Sequence, residues 1–116
     1  MPESRTPGPN NPADERADER RPRRFPCAMD ITIEWGAAEL RGKVVDISAQ
    51  GLFVELQNPL WIGARFAAHL ELEKPVRVEC VVRRVQPMRG MAATYSIFDE
   101  AQRQALAAMM ENLDRS

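Results

Sequence analysis

Histidine and tyrosine each occur once in this 116-residue chain, and cysteine twice. His69, Cys27 and Cys80 match no zinc-ligand spacing. The sequence shows no base–nucleophile constellation and no metal-ligand set, so neither an enzyme nor a resident cofactor or metal is expected. Two thiols without a secretory signal fit a reduced chain better than a disulfide scaffold. No apolar run approaches the ~20 residues that span a bilayer, and the N-terminus lacks the apolar stretch of a signal peptide. The expected location is cytoplasmic. The net charge is −1, so no global field draws nucleic acid or an anionic membrane. Aromatic residues are scarce, which removes stacking platforms for single strands. A small barrel gripping nucleic acid through a basic arm is therefore the weakest reading, and no DNA or RNA partner is expected.

The remaining sequence divides at about residue 22. Residues 1–22 hold five of the nine prolines and almost no apolar side chain larger than alanine. Such a segment cannot bury enough surface to offset its ordering entropy, so it is expected to be a disordered tail. Its end is cationic: Arg20, Arg21, Arg23 and Arg24 surround Pro22. Residues 23–116 are expected to form one small domain.

Within that domain, period-two alternation dominates. Ile31, Ile33 and Trp35 share one face of a strand, followed by a turn at Gly36-Ala37-Ala38. Glu39 to Ile47 reads as a second strand with Leu40 and Val44 opposite Arg41 and Lys43. Leu52, Val54 and Leu56 mark a third, broken at Asn58-Pro59. Phe66, Ala68, Leu70 and Leu72 give a one-sided fourth strand, and Val76, Val78, Cys80 and Val82 a fifth. The phase slips at Arg83-Arg84, which predicts a bulge. Met91 to Phe98 is a sixth strand. Asp99 then opens a helix over 99–113, with Gln102 placed for a capping box and Ala101, Ala105, Leu106, Met109 and Leu113 on one face. Trp61 is expected to pack in the core or at its rim. The fold class is all-β with one C-terminal helix: a six-stranded antiparallel barrel with the helix across one end.

The chemistry concentrates in the arginine arm and in Asp46-Ile47-Ser48-Ala49-Gln50-Gly51, a polar turn between the second and third strands. A guanidinium fork grips phosphate through two hydrogen bonds and matches O6 and N7 of a guanine edge. Asp46 accepts guanine N–H donors or holds an arm arginine. Ser48 donates to a phosphate or a nearby carbonyl, and Gly51 permits close approach of a ligand. None of these groups needs to transfer a proton. Alone, the arginines read as a solvated patch and the turn as an Asx-type hairpin closure.

Together, the upstream arginines, Asp46-x-Ser48-x-x-Gly51, the run Gly51-Leu52-Phe53-Val54, the segment Leu60-Trp61-Ile62-Gly63 and the closing helix resemble the PilZ domain family over about residues 20–113. The resemblance implies a six-stranded PilZ-like β-barrel that binds the bacterial second messenger cyclic di-GMP and signals to a downstream protein partner. With the whole arginine arm counted beside the family's motif residues, the candidate ligand-binding set is Arg20, Arg21, Arg23, Arg24, Asp46, Ser48 and Gly51. Two registers of the family's Arg-x-x-x-Arg motif are open. The literal match is Arg20 to Arg24. Counting back from the first strand, with Phe25 as the intervening aromatic, gives Arg23 with Cys27 in the second arginine's place. The alternative function is a PilZ-like interaction module in motility or secretion that does not bind the nucleotide.

Overall fold

The computed structural model describes residues 23–115. Arg20, Arg21 and the expected disordered tail over 1–22 lie outside the described residues. Six antiparallel strands close into a barrel: β1 (Phe25–Trp35), β2 (Ala38–Ile47), β3 (Gly51–Glu55), β4 (Arg65–Leu70), β5 (Val76–Gln86) and β6 (Gly90–Ser96). Their order around the wall is β1-β2-β3-β6-β5-β4, and β1 pairs with β4 to complete the circuit. Closure removes the unpaired edges that an open sheet of this size presents.

The period-two pattern determines which side chains fill the barrel. Ile31, Ile33, Val44, Leu52, Val54, Leu70, Val76, Val78 and Val82 are fully buried, with Cys80 and Met91 among them. Gly36 (φ 59°) turns the β1–β2 hairpin in the left-handed region that a side chain disfavours. Phe53 departs from the alternation. It lies on the outward face of β3 yet is buried, because its ring covers Gly90, where an added Cβ would meet ring atoms at 2.7 and 3.0 Å. The sixth strand ends at Ser96, two residues before its expected limit. Ile97 turns into the core, and Phe98 remains 81% exposed. Trp61, expected in the core or at its rim, is instead 59% exposed, with its ring centroid 4.9 Å from that of Trp35 in an edge-on arrangement.

Two bulges break the alternation, and both change what reaches the outer wall. In β2 the register shifts between Val44 and Asp46. Val44 and Ile47 both remain buried, which leaves Asp46 facing outward. In β5 the shift falls between Val82 and Arg84, at the expected position, and both Arg83 and Arg84 are exposed.

The helix α1 (Glu100–Arg115) follows β6 and packs against β1 and β5. It crosses the barrel end where β1, β3 and β5 begin, with Leu106 fully buried and Ala105, Met109, Met110 and Leu113 packed beside it. Ala101, expected on that face, is exposed. Asp99 caps the helix by accepting the Gln102 amide at 2.9 Å. The Gln102 side chain does not reach back to complete a capping box. Its Oε1 accepts the Arg77 amide at 2.9 Å and ties the helix to β5.

Two groups, the buried Cys80 and the half-buried Tyr95, make the fold less stable at high pH. Burial, reinforced by the Glu79 charge, pushes the Cys80 thiol from its ordinary 9.0 to about 12. Burial, then the neighbouring Cys80, pushes the Tyr95 phenol from 10.0 to about 12. Both groups hold their protons more tightly when folded, so their contribution is complete below the unfolded values. It is lost as pH rises through the folded ones. Urea midpoints are therefore expected to fall between pH 9 and about 12, and Tyr95→Phe flattens the portion above about pH 10.

Candidate functional site

The β2–β3 turn lies at the helix-covered end of the barrel, and its shape depends on one buried hydroxyl. Ser48 is 3% exposed. Its Oγ accepts the Gly51 amide at 3.1 Å and the Gln50 amide at 3.3 Å, and donates to the Gly51 carbonyl at 3.3 Å. The Ser48 amide donates to that same carbonyl at 2.8 Å. From β6, the Tyr95 hydroxyl donates to the Ser48 carbonyl at 2.5 Å. The Ser48 hydroxyl is thus committed to the turn itself. Of the two roles read from sequence, donation to a nearby carbonyl is the one observed.

Asp46 stands one residue before the end of β2, opposite Pro26 of β1 and Phe53 of β3. It receives Arg24: Nε and Nη2 both donate to Oδ1, at 2.9 and 2.5 Å. The remaining terminal nitrogen, Nη1, stands 3.7 Å from where a Gly51 Cβ would be. Gly51 therefore lies under the guanidinium, and a side chain there would also crowd the Ala93 carbonyl at 3.1 Å.

Arg23 takes a different direction. Its Nη1 donates to Asp114 of α1 at 2.6 Å, and its guanidinium stacks 5.2 Å from the Phe25 ring centroid. The structure thus brings Arg24, Asp46, Ser48 and Gly51 together and places Arg23 against the helix. Cys27 lies in the β1 irregularity between Pro26 and Met29, half-buried, with Sγ donating to the Val44 carbonyl at 3.5 Å. Burial, aided by the Asp46 charge, raises its pKa above the ordinary 9.0. It stays a neutral thiol at neutral pH and cannot act as an anion-gripping group.

Beside the turn, an open groove of about 480 Å³ runs over β3, β6 and β5. Gly51, Ala92 and Thr94 contribute to its floor, and Arg24, Arg83 and Arg84 supply charge. Sequence reasoning missed Tyr95 and Thr94. Tyr95 carried a readable signal: the chain's single tyrosine falls in a half-buried strand, where a phenol must find a partner. Thr94 carried none, since its place depends on which strand neighbours β3. Among the described residues no cluster of three or more histidine, cysteine or acidic side chains is placed to hold a metal.

Residues 15–112 match the PilZ domain family, and the chain belongs to it. None of the curated proteins matches the chain in sequence. Among solved structures, the PilZ domain of YcgR from Escherichia coli, described with c-di-GMP, superposes with a TM-score of 0.70 at 14% identity over 83% of this chain and 92% of that one. The PilZ domain of CeSA from a cellulose-synthesizing bacterium gives 0.64 at 18% identity, covering 79% and 98%. The Bacillus subtilis inhibitor of motility (MotI/DgrA) gives 0.66 at 24% identity, covering 84% of this chain and 52% of that one. The chain therefore spans about half the length of the B. subtilis protein. These likenesses establish the barrel-plus-helix fold; among the described residues, no helix is long and apolar enough to cross a membrane.

The turn network yields a stability prediction. Ser48→Ala strands buried amides and is expected to cost about 1–3 kcal/mol, whereas Tyr95→Phe removes one bond and costs about 0.5–1.5 kcal/mol. Thermal melting of both variants checks the order, with each kcal/mol lowering Tm by about 4–8 °C in a domain this small.

Proposed function

We propose that this protein is a cyclic di-GMP receptor and adaptor, which closes its arginine arm over the nucleotide and signals to a protein partner. The observation that carries the reading is the placement of Arg24 by Asp46 directly above Gly51. The family membership and the YcgR domain described with c-di-GMP give the ligand class.

Cyclic di-GMP presents two phosphates and two guanines. Arg24 uses two nitrogens on Asp46 and keeps Nη1 for a phosphate oxygen or a guanine edge. Asp46 engages Arg24 through Oδ1 only, which leaves Oδ2 for guanine N1–H or N2–H. The Ser48 network fixes the turn before the ligand arrives, so little ordering is required of the wall. The arm supplies the moving part. Arg23 and Asp114 are both substantially exposed, at 72% and 47%, and such a pair contributes about 0–1 kcal/mol. Exchanging Asp114 for a ligand phosphate is therefore cheap. In this proposal Arg20 and Arg21 join the closed form, and the ordered arm with α1 makes the surface a partner reads. No group in the site is arranged to transfer a proton, so the ligand binds without reacting.

A second reading rests on Cys27. In the strand-anchored register a neutral thiol occupies an arginine's place; where that loss abolishes nucleotide binding, the barrel docks a partner without nucleotide. Isothermal titration separates the two. The receptor reading predicts heat on adding cyclic di-GMP, and Arg24→Ala weakens binding about 10- to 150-fold, corresponding to a charge-assisted hydrogen bond of about 1.5–3 kcal/mol. Asp46→Ala weakens it in the same direction. An effect of Arg20→Ala without one of Arg23→Ala assigns the Arg20–Arg24 register; the reverse assigns Arg23 with Cys27. Absence of heat, with partner capture indifferent to nucleotide, establishes the interaction module instead.

A further inference from the structure

We propose that Arg83 and Arg84 form a second cationic wall of the nucleotide site, gripping a phosphate of the same ligand from the side opposite Arg24. The inference rests on the receptor reading above and extends it to residues outside the family's arginine and Asp-x-Ser-x-x-Gly motifs.

In a regular strand, adjacent residues point to opposite faces, so one of two consecutive arginines in β5 would enter the core. The bulge between Val82 and Arg84 prevents this. Val82 stays fully buried and Val85 packs against the core, while both arginines emerge on the outer wall. Such a bulge re-aims side chains, a common arrangement beside binding sites.

Arg83 is held in place. Its Nε donates to Thr94 Oγ1 at 3.1 Å, which fixes the guanidinium over β6 and leaves both terminal nitrogens for a ligand. Thr94 pairs with Gly51 across β3 and β6, so the anchor of Arg83 sits directly beside the residue beneath Arg24. The small residues Gly51, Ala92 and Thr94 keep the intervening groove open.

The charge balance points to an anion. No carboxylate lines the groove, and among the described residues neither Arg83 nor Arg84 pairs with an acid. Arg83 and Arg84 share a face with no carboxylate partner and repel one another, whereas Arg24 across the groove is paired with Asp46; a phosphate between the walls relieves the repulsion. The planar fork of arginine suits a phosphate better than a lysine does.

The test is titration of cyclic di-GMP into wild type, Arg24→Ala, Arg83→Ala and Arg84→Ala, with melting curves to confirm folding. Loss of each grip is expected to weaken binding about 10- to 150-fold, and Arg83→Lys recovers only part of it. A nucleotide-dependent shift of the Arg83 Nε–H resonance in the wild-type protein is expected as well, and it requires no variant to fold. If wild type binds and Arg24→Ala weakens binding while the Arg83 and Arg84 variants match wild type, the second wall is refuted and the receptor reading stands. If wild type does not bind, both fall.

Discussion

One buried hydroxyl organises the functional end of this barrel. Ser48 Oγ takes two amide protons and gives its own to the Gly51 carbonyl, so the β2–β3 turn is internally satisfied and cannot relax without stranding polar groups. Tyr95 adds a clamp from β6. A rigid turn fixes where Asp46 ends and Gly51 begins, and Arg24 can then be placed by a carboxylate on one side and an open glycine below. The serine thus acts by shaping the turn, and in the proposed site recognition falls to the arginines and Asp46.

Bulges are the second device. A strand that alternates without interruption sends every other residue inward, which suits a core but restricts where charge can stand on the wall. The β2 irregularity turns Asp46 outward while Val44 and Ile47 stay buried. The β5 irregularity turns two arginines outward together. The apolar interior is kept in both places, so the barrel gains its polar surface at the cost of a few ladder hydrogen bonds.

The fold was legible where side-chain period decides structure. Val76 to Val82 alternates cleanly, Phe66 to Leu70 does so except that Ala67 is buried as well, and both became barrel walls. The phase slip at Arg83-Arg84 became a bulge. Asp99 became a helix cap because a carboxylate there accepts the Gln102 amide whatever the tertiary context. Features that depend on distant neighbours were not legible. Gln102 bonds Arg77 and Arg23 meets Asp114 across most of the chain, and neither pairing leaves a local pattern. Phe53 is buried because Gly90 is bare on the adjoining strand. Within the site, Asp46, Ser48 and Gly51 were readable as a turn, yet the destination of the Ser48 proton and the divergence of Arg23 from Arg24 needed the packed end of the barrel to be seen.

In the proposed binding mode a diguanylate settles on the wall between Arg24 and the Ser48–Gly51 turn. Its most direct measurement is a two-dimensional amide and guanidinium NMR titration of the intact chain with cyclic di-GMP. This mode predicts saturable shifts at Gly51, Thr94 and the Arg24 Nε–H, with the barrel's opposite wall around His69 unmoved. Spectra that overlay throughout the titration, or shifts confined to residues remote from that turn, contradict it.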